Sequence, residues 1–379
     1  MSKEIEIFIA CHKPSELPAN DYFVPIHVGA KNSKITLPDL QRDDEGDNIS
    51  EKNPTYCELT AQYWAWKHSN ADYIGLCHYR RYLSFSPKIF TNLTPNHRKQ
   101  VFVSVLTPET EEKYGLLDKE QMKKVIESSD VLVCQAQDLS LVSTPYGPQK
   151  TTLKHWMAHH MALINVYDLN EMFDIVKHDY PDIFQSMSEY MNDKYFYGFN
   201  TFVFRRDLFC EMCKFEFDVL SKLEKRVNIE HYNQQLSRIF GFMGEILFSS
   251  FVYHLKKTRK DIKVSERQML YFDQTDPIKD IQPQYTSSEK IVIDLTGAPA
   301  FVLYPCLTTL LKNLNKEQSY EIIVLTDKID KFYIKYYTHI NSIYKNVSLK
   351  FKNVNFFMSY LNEMIGPAIY YSSNFVAWL

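Results

Sequence analysis

The segment His78-Tyr79-Arg80-Arg81-Tyr82 brings two guanidiniums, an imidazole and two phenols together. A guanidinium's planar fork donates two parallel hydrogen bonds to a phosphate, and it stays ionised throughout the physiological range. Just before it, Tyr73 to Cys77 reads as a short buried strand, with β-formers around one glycine and no charge. Ligands of open α/β sheets bind beyond the carboxyl ends of strands. The segment therefore stands where a diphosphate-bearing ligand is expected. A solvated basic turn paired with nearby acids is the competing explanation, since exposed ion pairs are common and weak.

Other residues carry complementary chemistry. Glu245 follows Gly241-Phe242-Met243-Gly244 and precedes an apolar run. A carboxylate buried there would have a raised pKa and would suit general-base work, whereas an exposed helix glutamate would not. The run Asp43-Asp44-Glu45-Gly46-Asp47 lacks the full calcium-loop pattern and reads by default as a solvated acidic turn. Asp44 and Asp47 are the alternative bases. His12 and Lys13 follow the first strand, Ile5 to Ala10, a usual place for a base or ribose. His155 and His159 are spaced to share a helix face, but without the H-E-x-x-H arrangement a sugar contact or plain packing is expected rather than zinc. Asn200 is a compact donor and acceptor of the kind a sugar hydroxyl requires.

The elements that must hold these residues alternate strand and helix. Strands are expected at Tyr22 to Val28, Val131 to Cys134 and Thr201 to Phe204. Helices are expected from an Asn53 N-cap with Pro54 at the first position, from Asp118 to Ser128, from Asp168 to Asp179, and from an Asp207 cap to about Arg226. The chain of 379 residues is long enough for two domains. Net charge of −3 implies no global attraction to nucleic acid. Seven cysteines in a long chain read as reduced and cytoplasmic, and MSKEIEIFIA has no signal-peptide character. With only 10 glycines, neither G-x-G-x-x-G after the first strand nor a P-loop occurs, so side chains or a helix end must hold any phosphate.

The order DDEGDNIS, CELTAQYWAWK, YIGLCHYRRYL, then YGFNTFVFRRDLF and RIFGFMGEILFSSF, resembles a bacterial polysaccharide-synthesis family. That family was named for domain of unknown function 4422 and is counted among glycosyltransferases with galactofuranosyltransferase activity. The resemblance covers roughly residues 3 to 255. It implies a GT-A-like α/β fold, a UDP-sugar donor and a lipid-linked or oligosaccharide acceptor in a growing surface polysaccharide. Other polysaccharide-synthesis enzymes are the partners it implies. Residues 1–255 are expected to form this domain, 256–288 a linker, and 289–379 a partial second α/β unit. The latter resembles the start of a family 8 glycosyltransferase domain and stops before that family's D-x-D metal motif.

On this reading Arg80 and Arg81, helped by His78, stabilise departing UDP while Glu245 serves as base. Tyr79, Tyr82, His12, Lys13, Asn200, His155 and His159 contribute to substrate binding. No D-x-D lies at a strand end in the first domain, so neither metal nor other cofactor is expected. Basic KKTRK, residues 256–260, is expected to face anionic lipid at the inner membrane surface, with a solvated helix end as the alternative. A non-catalytic glycan- or nucleotide-binding scaffold is the alternative function, and a phosphoryl hydrolase built on DDEGD a third.

Overall fold

The computed structural model describes residues 4–93, 100–275, 289–295, 302–326, 340, 343–344 and 346–353. The chain divides into two compact units, Met1–Thr275 and Asp276–Leu379. In chain order the first unit contains β1 (Ile5–Cys11), β2 (Phe23–His27), β3 (Gln41–Arg42), α1 (Asn53–Tyr56), α2 (Leu59–His68), β4 (Tyr73–His78), β5 (Arg81–Leu83) and β6 (Val101–Val105). It continues with α3 (Pro108–Lys113), α4 (Lys119–Glu127), β7 (Val131–Cys134), β8 (Gln137–Asp138), α5 (Thr152–Met157), α6 (Val166–Asp179) and α7 (Pro181–Asn192). It closes with β9 (Tyr195–Phe196), β10 (Phe202–Arg205), α8 (Arg206–Glu224), α9 (Ile239–Thr258), β11 (Val264–Arg267) and β12 (Met269–Gln274).

The main sheet has the order β11-β7-β10-β4-β1-β2-β3, with β5, β12 and β6 branching from β4. β1 runs parallel to both β2 and β4. β10 is antiparallel to β4 and β7, so the carboxyl ends of β1, β4 and β7 share one edge with the amino end of β10. Strand alternation divides the core between the two faces. Phe8, Ala10, Ile74, Leu76, Phe202 and Phe204 pack against the helical layer. Ile7, Ile9, Cys11, Cys77 and Val203 face the other way, toward Tyr82, Phe85 and Phe272. At Gly75 the backbones come so close that an added Cβ would lie 2.7 Å from the Phe202 carbonyl oxygen.

The α/β expectation is met, with three local differences. The helix expected to run unbroken from Asn53 is interrupted at Cys57, whose φ is +53°. Asn53 does not cap; its amide donates to Cys57 O at 2.9 Å and Thr60 Oγ1 at 3.3 Å, bracing the break. Asp207 sits inside the first turn of α8 and pairs with Arg205 rather than capping. The expected linker 256–288 is corrected over its first half: α9 continues to Thr258, and 264–274 form β11 and β12 of the main sheet. Met269, Leu270 and Phe272 of β12 are buried.

The second unit is a parallel sheet, β13 (Glu289–Asp294), β14 (Tyr320–Thr326) and β15 (Val347–Asn353), with α10 (Leu303–Asn313). Most of the segment between β14 and β15, from 327 to 339, lies outside the described residues. Among the described residues no helix is long and apolar enough to cross a membrane.

Candidate active site

A cavity of about 320 Å³ opens beside the carboxyl edge of the main sheet. The break between α1 and α2 delivers Cys57 and Glu58 to its wall, and the start of β5 delivers Arg81. Phe196 comes from β9, and Phe199 and Asn200 come from the loop between β9 and β10. Arg238, Phe242 and Glu245 come from the entry and first turns of α9, while His155, Trp156 and His159 come from α5 and the turn after it.

Glu245 is the centre of the charged side. The amide of Phe199 donates to its Oε1 at 3.2 Å. Burial, and then the nearby charge of Glu58, push its pKa up to about 7, against opposing effects from Arg81, the Phe199 amide and Arg238. A carboxylate so tuned exchanges a proton near neutral pH. Phe199 and Asn200 adopt left-handed backbone conformations, φ +83° and +46°. Such conformations cost of order 1–3 kcal/mol at non-glycine residues and cluster at functional sites.

Two arginines flank the carboxylates. Arg81 lies 5.4 Å from the Phe199 ring centroid, and Arg238 lies 5.7 Å from that of Phe242. Arg238 also donates through Nε to Cys57 Sγ at 3.2 Å. From Phe242 the wall continues through Trp156 (6.2 Å), Phe196 (5.7 Å) and Phe199 (6.3 Å), all centroid separations. The cavity thus has a charged side and an aromatic side. Among the described residues Arg81 Nε, Trp156 Nε1 and Asn200 Oδ1 are buried without a hydrogen-bond partner, and all three residues line this cavity.

The structure brings Arg81, Glu245, Asn200, His155 and His159 together and separates the remaining expected residues from them. Arg80 turns the other way: it donates to Tyr271 Oη and, at 3.2 Å, to Phe272 O, and stands 3.8 Å from Asp273. Tyr82 is fully buried and donates to Tyr79 O at 3.1 Å, so its phenol is a core group and not a ligand contact. His78 does not line the cavity; it pairs with Arg81 between β4 and β5 and stands 3.9 Å from Glu58. Burial, then the charges of Arg81, His12 and Arg80, hold its imidazole well below the ordinary value.

His12, Lys13 and Tyr79 cluster next to His78, with His12 5.2 Å and Lys13 5.6 Å from the Tyr79 ring. Asp44 is held by both nitrogens of an Arg42 fork at 2.9 and 2.6 Å. Asp47 accepts from Tyr63 at 3.0 Å. Neither aspartate lines the cavity, and their neighbour Asp43 is fully buried, binding the amides of Gly29 and Ala30. The acidic run is thus a folded loop with internal partners.

In KKTRK, Lys256, Lys257 and Arg259 pair with Glu266, Glu189 and Glu211, so most of that charge is met by acids within the domain. Glu58, Arg238 and Trp156 were not singled out from the sequence as site residues. Among the described residues no group of three or more His, Cys, Asp or Glu side chains is arranged to hold a metal ion.

A family model described as Domain of unknown function (DUF4422) matches residues 6–258. Among solved structures the chain is similar to one described as the apo structure of the WbbM bifunctional glycosyltransferase, at 28% identity and a TM-score of 0.66. That likeness covers 94% of this chain and 60% of the other, so the chain spans less than two thirds of the chain it matches. No curated protein matches. The chain belongs to the DUF4422 family and shares the α/β fold of that glycosyltransferase.

Proposed function

We propose that this DUF4422 member is a glycosyltransferase, moving a hexose from a nucleotide-sugar donor to a growing cell-surface polysaccharide. The donor in this reading is UDP-galactofuranose. The observation that carries it is Glu245, a carboxylate with a pKa of about 7 facing a cavity that also presents Arg81 and Arg238. Glu245 takes the proton of the acceptor hydroxyl. The acceptor oxygen forms its bond to the anomeric carbon as the bond to the diphosphate oxygen breaks. The electron pair leaves with UDP, and the configuration at that carbon inverts.

The two arginines meet the charge that grows on the leaving group, and fixed donors aimed at developing charge are worth more in a dry site than in water. Leaving-group stabilisation in this reading is the work of side chains, with no metal step. The fold shared with a glycosyltransferase supports the reaction class.

The test is UDP release from UDP-galactofuranose with a galactose-terminated acceptor. Acceptor-dependent release supports the reading. Tight UDP binding without turnover across a panel of UDP-hexoses and acceptors would favour a non-catalytic binding module.

A further inference from the structure

Trp156 has no role in the chemistry above, yet its environment is that of a recognition group. It is only 4% exposed and is ringed by aromatics, with Phe196 at 5.7 Å, Phe242 at 6.2 Å and His159 at 6.5 Å. Packing alone would be served by an apolar ring. An indole N–H without a partner costs a buried site the desolvation of that donor, and Tyr and Trp usually find a partner for their polar tip when buried. Asn200, 5% exposed and held in a left-handed conformation, likewise lines the cavity with Oδ1 unpartnered.

A buried donor and a buried acceptor, both without partners on residues that line one cavity, together suit a sugar, whose hydroxyls both donate and accept. A phosphate cannot donate to Asn200. Leu139, Val142 and Leu163 also line the cavity and belong to or pack against the same apolar cluster as Trp156, while Arg81 and Arg238 are each reached from Trp156 through other aromatic rings. The charged side suits the diphosphate, which leaves the aromatic side for the second substrate.

We propose that Trp156 determines acceptor specificity, its Nε1–H donating to one hydroxyl of the acceptor's terminal sugar. This rests on the transferase reading of the same cavity. Because a site built to bond a hydroxyl discriminates against the analogue lacking it, the acceptor's deoxy derivatives read the contact directly.

The experiment uses the full chain, wild type and Trp156→Phe, with UDP-galactofuranose, a galactose-terminated disaccharide and its monodeoxy derivatives. Trp156→Phe is expected to raise the acceptor KM about threefold to tenfold, with donor KM and UDP Kd unchanged within twofold. One monodeoxy acceptor, poor for the wild type, should match its parent disaccharide in the variant. That ratio does not depend on how much variant is folded, so a destabilised protein still decides the matter.

Unchanged discrimination among the deoxy acceptors would overturn the proposal. A rise in UDP Kd equal to the rise in acceptor KM would also overturn it, because it would put Trp156 on the donor side. Calorimetric titration with the disaccharide separates the two ideas. Saccharide binding that Trp156→Phe weakens, without any UDP release, sustains the subsite and sinks the transferase. UDP release indifferent to Trp156 does the reverse.

Discussion

The backbone N–H of Phe199 donates to Glu245 Oε1 at 3.2 Å from a left-handed conformation that an aromatic residue rarely takes. The turn is braced from the other side by Thr201, whose hydroxyl donates to Phe199 O at 3.0 Å. Its tightness also shows at Gly198, where an added Cβ would overlap the Phe196 ring. The strained loop therefore both anchors one oxygen of the carboxylate and carries Asn200 to the cavity wall.

If Glu245 is the base, Glu245→Gln keeps an oxygen for the Phe199 amide but cannot take a proton. Its kcat should fall by about 10²- to 10⁴-fold, while the melting temperature holds or rises because a desolvated charge is gone. Steady-state UDP release and thermal unfolding on the same preparation check this. A kcat within a few-fold of wild type would remove Glu245 from the mechanism.

The pH dependence has a definite sign. The base must be unprotonated, so kcat/KM should climb with pH and level off above about 7, the value to which Glu245 is raised. Glu58 contributes to that rise through its negative charge. Glu58→Gln should therefore make Glu245 easier to ionise and move the climbing limb to lower pH. Rate profiles of the two proteins decide it, and a limb that stays put or moves upward contradicts the assignment.

The adjacent arginines should behave oppositely. Arg81→Ala removes a cavity cation and should lower kcat by about 10²- to 10³-fold, with Arg81→Lys recovering part because it keeps charge but loses the fork. Arg80→Ala removes contacts to Tyr271, Phe272 O and Asp273, so it should lower the melting temperature and leave kcat of the folded enzyme near wild type. Equal kcat losses in the two alanine variants would refute this division.

That division shows what the sequence could and could not reveal. The alternation in β1 and β4 and the polar residues at their ends were readable, because strand period and strand-end location are local properties. Glu245 was readable from its apolar flanks. Which of two neighbouring arginines faces the cavity depends on the pairing of β5 with β12, made nearly 190 residues away in the chain, and the stretch holding β12 read as linker. Glu58 was hidden for a related reason. Its helical pattern runs through the break at Cys57, and only the break turns it into the cavity. Arg238 and Trp156 gain their roles from tertiary placement, although Arg238 just before a long apolar helix was an available signal for an anion site.

A second buried carboxyl gives a test independent of catalysis. Glu216 of α8 is fully buried and accepts from Gln62 Nε2 at 2.5 Å, while its Oε1 lacks a partner. Oε1 also lies 2.8 Å from where a Cβ on Gly244 would stand, so the helix bearing Glu245 packs directly over it. Burial pushes the Glu216 pKa up to about 8, against the opposing Gln62 bond. The folded protein then holds a proton that the unfolded chain releases near its ordinary value of 4.5. Stability from this group is present below pH 4.5 and is lost as pH rises toward 8, by at most about 1.4 kcal/mol per unit. Glu216→Gln removes the titration and leaves an amide oxygen for Gln62. Relative to wild type, the variant should therefore gain stability steadily between pH 5 and about 8 and level off beyond. Denaturant unfolding of both proteins at a series of pH values measures the difference, in which the titration of every other group largely cancels. A difference constant across that window would mean that Glu216 ionises in the folded protein as it does in the open chain.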